Sequence, residues 1–260
     1  MYADGLLLEM LTDADITYAL RVTEAATGGD LAGAVRTLRN DPAVLAAMLE
    51  DPRLEPAVLQ DPQILLKVSP YFFFSILLRR SRRELRHRSF TAEWLAPRKR
   101  LPVFDAQRIA HTLDDTARVH YLAELLASFT SVGRAPADRK GSGPAGRAFH
   151  ELNLDDLRRL RRHAEAAERF ALDRRLGDVA LFLAGVFPDS AQGSMQLDEW
   201  EDESQTRYRS AARAPEARQC GLRETLDGLA ADLHPARKAL NFVADRFLQP
   251  LRCEWFALGA

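Results

Sequence analysis

Between residues 69 and 88 the apolar side chains of Phe74, Leu77, Leu78 and Leu85 recur at helical spacing, with Ser81 among them. Such a stripe marks a helix with one face turned into a core. Val119, Leu122, Leu126 and Phe129 repeat the pattern in a segment that reads as one helix over about 105–130. Leu157, Leu160, Ala164 and Ala167 do so again after Asn153, a good helix cap, with Asp155 and Asp156 suiting the first turn. Further helices are expected over 14–27, 30–39, 173–187 (stopped by Pro188), 219–232 and 235–256. No segment reads as a convincing alternating strand, and no hairpin turn joins two β-branched runs. The expected fold is all-α: an irregular multi-helix bundle of about ten helices with no significant sheet.

Residues 41–62, DPAVLAAMLEDPRLEPAVLQDP, place Asp-Pro at 41, 51 and 61. Aspartate accepts hydrogen bonds from the open amides of a first turn, and proline fits the first helical position because its missing N–H would be unpaired there. Three short helices are therefore expected, folding the chain sharply. These helix starts resemble those of HEAT or leucine-rich-variant repeats. Such arrays need units of at least ~20 residues, longer than a ten-residue step, and no repeat family is assigned.

Residues 131–148, SVGRAPADRKGSGPAGRA, lack periodicity and are rich in Gly, Pro, Ser and charge. A linker or flexible loop is expected over 133–148. It separates an N-terminal helical region, 1–132, from a C-terminal one, 149–260, and the two are able to pack as one domain. GSGPAG matches a dinucleotide-binding fingerprint in letters only, because no strand precedes it and no βαβ unit surrounds it.

Composition narrows the class. A chain of 260 residues, 47% apolar and 28% charged, can bury a core without staples. Two cysteines, Cys220 and Cys253, are too few for a disulfide framework. The opening MYADGLLLEMLTDAD lacks the basic start and apolar stretch of a secretion leader. YFFFSILL and VALFLAGVF fall short of the ~18 residues of a membrane span. A cytoplasmic protein without membrane contact is expected.

Net charge is −1, yet 32 of the 36 basic residues are arginine. Arg79, Arg82, Arg83 and Arg86 stand at i, i+3, i+4 and i+7, so one helix face carries four guanidinium groups. Such a face calls for an anion, and these four residues are the candidate anion- or partner-binding site. The anion has three candidate sources: a nucleic-acid backbone, an acidic partner protein, or the chain itself. Residues 198–203 are acidic, and residues 1–67 hold eleven Asp or Glu against five Arg or Lys.

Catalytic signatures are sparse. No metal-ligand spacing, Walker loop or nucleophile elbow occurs, and no catalytic residue, metal or cofactor is assigned. Arg82…His87 and Arg158…His163 match the Arg-x4-His spacing of HEPN ribonucleases, where such a pair serves proton transfer and phosphate contact. An arginine-rich chain produces such matches by chance, and Arg83 and Arg159 stand where that family often has a polar residue. Asp178 precedes a long apolar run, either as a first-turn acid or as a carboxylate with a raised pKa. The expected function is a non-enzymatic helical interaction or regulatory protein that recognises a protein partner through charged surfaces. The alternatives are nucleic-acid binding through the arginine-rich helix 79–88 and an HEPN-like or other helical enzyme.

Overall fold

The computed structural model describes residues 7–23, 30–61, 63–96, 99–130, 153–191, 193–249 and 256. Its elements are α1 (Asp13–Val22), α2 (Leu31–Arg39), α3 (Pro42–Leu49), α4 (Leu54–Leu59), α5 (Ile64–Lys67), α6 (Pro70–Arg86), β1 (Thr91–Ala96) and β2 (Lys99–Val103). There follow α7 (Ala106–Thr112), α8 (Thr116–Thr130), α9 (Leu154–His163), α10 (Ala166–Val186), α11 (Ser194–Arg213), α12 (Pro215–Gln219), α13 (Arg223–Ala231) and α14 (Leu233–Val243). A π-helical turn, Ala244–Leu248, ends the last helix. The fold is all-α, with one small antiparallel hairpin of β1 and β2. The linker expected over 133–148, and GSGPAG within it, lie outside the described residues.

Local chemistry explains the helix starts. Thr12 and Asp15 form a capping box at α1. Asp41 caps α3 by accepting from the Val44 amide at 3.2 Å, with Pro42 in the first turn. The other two Asp-Pro pairs work differently. Asp51 and Asp61 accept from the amides of Arg53 and Gln63, two residues on, and the helices begin only at Leu54 and Ile64. They close Asx turns at the corners between helices rather than cap them. The helix expected over about 105–130 is also broken. Asp115 accepts from the Ala117 amide at 2.9 Å, and the chain restarts as α8 after residues 113–115.

Helix α6 is the structural axis. Ser69 caps it through the Phe72 amide at 3.1 Å, Pro70 fills its first position, and Phe74, Leu77, Leu78, Ser81 and Leu85 are all buried as the stripe requires. It packs on α7, α8 and α14. The second axis is α10, laid against α11 and α14. Gly185 permits the latter approach, since a Cβ there would lie 2.6 Å from Leu240 Cβ. Aromatic rings from both sides of the 131–152 stretch meet in one core: Phe129 stacks on Phe182 with centroids 3.9 Å apart, and Phe74 stacks on Phe256. No described helix is long and apolar enough to cross a membrane.

Candidate anion-recognition site

The arginine face of α6 meets carboxylates from the Asp-Pro region. Glu50, at the end of α3, accepts from Arg79 Nε (3.0 Å), Arg82 Nη2 (2.6 Å) and Arg83 Nη1 (3.4 Å). Glu55 on α4 pairs with Arg80 (2.9 Å) and Arg83. Arg86 reaches Asp114 at the α7–α8 corner. Arg79 is only 2% exposed. It also touches the buried His120, whose Nδ1 is hydrogen-bonded to the Tyr71 hydroxyl. Of the internal acids weighed as partners for the stripe, the N-terminal set is the one in contact. Residues 198–203 serve elsewhere: Glu201 pairs with Arg237, and Glu203 with Arg158 and Arg207.

Neutralisation is incomplete along the stripe and its neighbours. Among the described residues, Arg79, Arg80, Arg82, Arg83, Arg86, Arg88, Arg100 and Arg246 share Glu50, Glu55, Glu84, Asp114 and Asp245. Eight cations against five anions leave an excess of three. Glu50 and Glu55 are shared by Arg79, Arg80, Arg82 and Arg83. Glu84 alone answers three guanidinium groups: Arg80 at 2.9 Å, Arg246 at 3.3 Å and Arg88 at 3.7 Å. Arg88 and Arg246, together with Arg100, stand where α6 ends, near the hairpin and the π-helical turn.

A pocket of about 240 Å³ opens there. It is lined by Arg88, Phe90, Thr91, Ala92, Arg100, Lys238, Asn241, Phe242, Asp245 and Arg246. Arg88 lies over the Phe242 ring, 5.1 Å from its centroid, which holds the guanidinium flat against an apolar wall. Arg100 stacks on Trp94 at 3.7 Å and grips Asp245 with two nitrogens at 2.8 and 3.1 Å. Beside the mouth, Phe104 is 83% exposed and Phe90 54%, and the two rings meet edge to face. Leu101 and Val103 extend the apolar surface along β2.

The hairpin is held by a buried ion cluster. Lys238 Nζ lies 3.0 Å from Glu93 Oε2 and against Asp105, and Arg237 binds Glu93 at 2.5 Å. Burial pushes the Glu93 carboxyl up, but the Arg237 and Lys238 charges outweigh it and hold the group below its ordinary value. Glu93, Asp105 and His234 bring their ligand atoms within 4.8 Å of one another. The Lys238 ammonium already sits against both carboxylates, so the group reads as a salt-bridge cluster rather than a metal centre.

A second polar cluster surrounds Asp178. Its Oδ1 accepts the hydroxyls of Tyr121 (2.7 Å) and Tyr208 (2.8 Å). Burial is the main cause that raises its pKa, against the lowering effect of Arg174 and the two tyrosines. Asp178 thus has the raised pKa of one reading, within the body of α10 rather than at a helix start. Gly177 seats Tyr208 here: a Cβ at 177 would meet the Tyr208 ring at 2.8 Å. Gly177→Ala is expected to displace Tyr208 and to destabilise by about 1–3 kcal/mol through overpacking. Urea unfolding measures that loss, and tyrosine fluorescence reports the displaced ring.

The remaining sequence candidates stand apart. Arg82 is held by Glu50, and Arg158 by Glu203 and Asp155, while His87 and His163 are exposed at helix ends. Five residues advance a helix by about 140° beyond a full turn, so neither Arg-x4-His pair shares a face. The pocket is not legible in the sequence because its walls come from three separate stretches, 88–92, Arg100 and 238–246. Two signals pointed to it: the alternation of Thr91-Ala92-Glu93-Trp94, and Arg237 on the apolar face formed by Leu233, Ala236 and Leu240. No protein-family model, no curated protein and no solved structure matches the chain.

Proposed function

We propose that this chain is a non-enzymatic interaction protein that recognises an acidic protein segment at the pocket between the hairpin and α14. One observation carries the reading: three arginines, Arg88, Arg100 and Arg246, with one carboxylate, Asp245, line a pocket together with Phe90 and Phe242. Charge of this kind speeds encounter and selects partners, while buried aromatic contacts supply affinity. The apolar surface runs past the pocket over Leu101, Val103 and Phe104, farther than a small anion requires. Pro102 has no N–H to lend to a strand ladder. Recognition is therefore assigned to side chains rather than to an added strand.

The exposed Phe90 and Phe104 beside Arg88 and Arg100 favour a second reading, single-stranded nucleic acid, in which aromatic faces stack on bases. One experiment separates the two. Immobilised wild type is compared with the Arg88→Glu/Arg246→Glu double variant in native lysate, with and without nuclease. A protein partner stays bound after nuclease, is released near 1 M salt, where the screening length falls to ~3 Å, and is not retained by the variant. Reversing two of the pocket's charges is expected to weaken binding by about tenfold or more. Loss on nuclease treatment selects the nucleic-acid reading. Equal retention by both proteins removes this face from consideration.

A further inference from the structure

Helices α8 and α10 leave a groove on the side of the molecule where Asp178 is buried, with a cavity of about 290 Å³. One wall presents Ala171, Arg174, Arg175 and Asp178, at i, i+3, i+4 and i+7 of α10. The facing wall presents Glu124, Leu125 and Ser128 of α8, and Phe170 closes one side.

Asp178 is 7% exposed, and both tyrosine hydroxyls go to its Oδ1. Its Oδ2 accepts no hydrogen bond among the described residues and lies 3.9 Å from Arg174 Nε. Arg174 is itself committed, with Nη2 on Glu124 and Nε on the Tyr121 hydroxyl at 3.3 Å. This oxygen keeps its acceptor capacity on a residue that lines the cavity. Arg175 is the complementary group. It lies over the Phe129 ring, 4.4 Å from the centroid, and donates to Ser128 Oγ at 3.2 Å. It has no carboxylate partner among the described residues.

An acceptor and a cationic donor thus stand one helical turn apart, about 4.5 Å along the axis, with apolar surface from Leu125, Phe170 and Ala171 between the walls. The cavity lining carries two acids and two arginines, so it is balanced in charge and offers partners to both ends of a ligand that carries both signs. We infer that the groove between α8 and α10 binds a small zwitterion of the amino-acid class, with its ammonium on Asp178 Oδ2, its carboxylate on Arg175, and its side chain on Leu125 and Phe170. The site is distinct from the basic pocket beside the hairpin and does not depend on it.

The test is calorimetric titration of the full chain with each of the twenty amino acids at up to about 10 mM, ten times a 1 mM Kd. 3-Methylbutylamine and 4-methylpentanoate serve as the single-charge analogues of leucine. At least one amino acid is expected to bind saturably. The analogues should bind about tenfold or more weakly than leucine wherever leucine binds, the equivalent of one lost charged hydrogen bond. Arg175→Ala lies at the rim and leaves the core intact. It should weaken the amino acid about tenfold while leaving 3-methylbutylamine unchanged, and Asp178→Asn should weaken both. No saturable binding by any of the twenty overturns the inference, and so does an Arg175→Ala protein that binds like wild type. The rim variant keeps the test decisive even if Asp178→Asn fails to fold.

Discussion

Lowering the pH from 7 to 5 is expected to remove about 2 kcal/mol of stability through His120 alone, and about 4 kcal/mol by pH 3. His120 is 1% exposed. Burial, with help from the Arg79 charge, lowers its pKa from 6.5 to about 3. A second ring proton would meet the Arg79 guanidinium, whose Nη2 lies 3.5 Å from Nε2. Below pH 6.5 the unfolded chain takes up a proton at this ring and the native protein does not. Each pH unit down to about 3 therefore favours the unfolded state by ~1.4 kcal/mol. Below about 4 the lowered carboxyls of Glu93, Asp173 and Glu203 add to the loss, because protonation costs them their arginine and lysine partners. Urea unfolding of wild type and His120→Gln at pH 7 and pH 5 isolates the histidine contribution. Wild type should lose about 2 kcal/mol more than the variant; parallel losses would show that His120 is not the titrating group.

Glu50→Gln is expected to cost about 3 kcal/mol and to lower Tm by about 6–12 °C. The carboxylate is the shared partner of Arg79, Arg82 and Arg83. Arg79 is the group that makes the change severe, because its guanidinium is buried and, among the described residues, keeps the Ser75 carbonyl (3.2 Å) and His120. Removing one partner of a buried pair leaves an uncompensated charge, with losses of roughly 3–5 kcal/mol when both groups are fully buried. Glu50 is 39% exposed, and glutamine keeps one acceptor, so the lower end applies. Asp13→Asn is the comparison: Asp13 pairs with Arg39 at the surface, is 73% exposed, and should lose under about 1 kcal/mol. A Glu50→Gln loss as small as that of Asp13→Asn would mean that Arg79 is satisfied without the carboxylate.

The same two residues show how far a linear reading reaches. Four arginines on one face of α6 follow from helical spacing, and the need for an anion follows from their proximity. Which anion answers them depends on Glu50, 29 residues before Arg79, and on corners whose angles no local rule sets. Asp51 and Asp61 illustrate the limit. Their Asx turns and helix caps draw on the same side-chain chemistry, and only the direction the chain takes into α4 and α5 separates the two outcomes.

The hairpin was hidden for a related reason. β1 is six residues long, and a two-stranded ribbon is marginal by itself. It is secured by contacts made across the fold, with Glu93 on Arg237 and Lys238 of α14, 144 residues away in the case of Arg237. The basic pocket depends on that docking, since Arg88, Arg100 and Arg246 face one space only once the hairpin lies against α14.

The sequence by itself determined the helical class, the buried stripe and cap of α6, the capping of α3 and the clustering of charge. These rest on periodicity and on hydrogen bonds spanning two to four residues, which the chain encodes locally. Only the tertiary structure decided which guanidinium groups are neutralised and which line a pocket, and that Asp178 accepts from two tyrosines and lines a cavity. Those outcomes rest on charges and rings brought together from distant segments, and charge–charge energy depends on distance and burial, neither of which is written in the order of the residues.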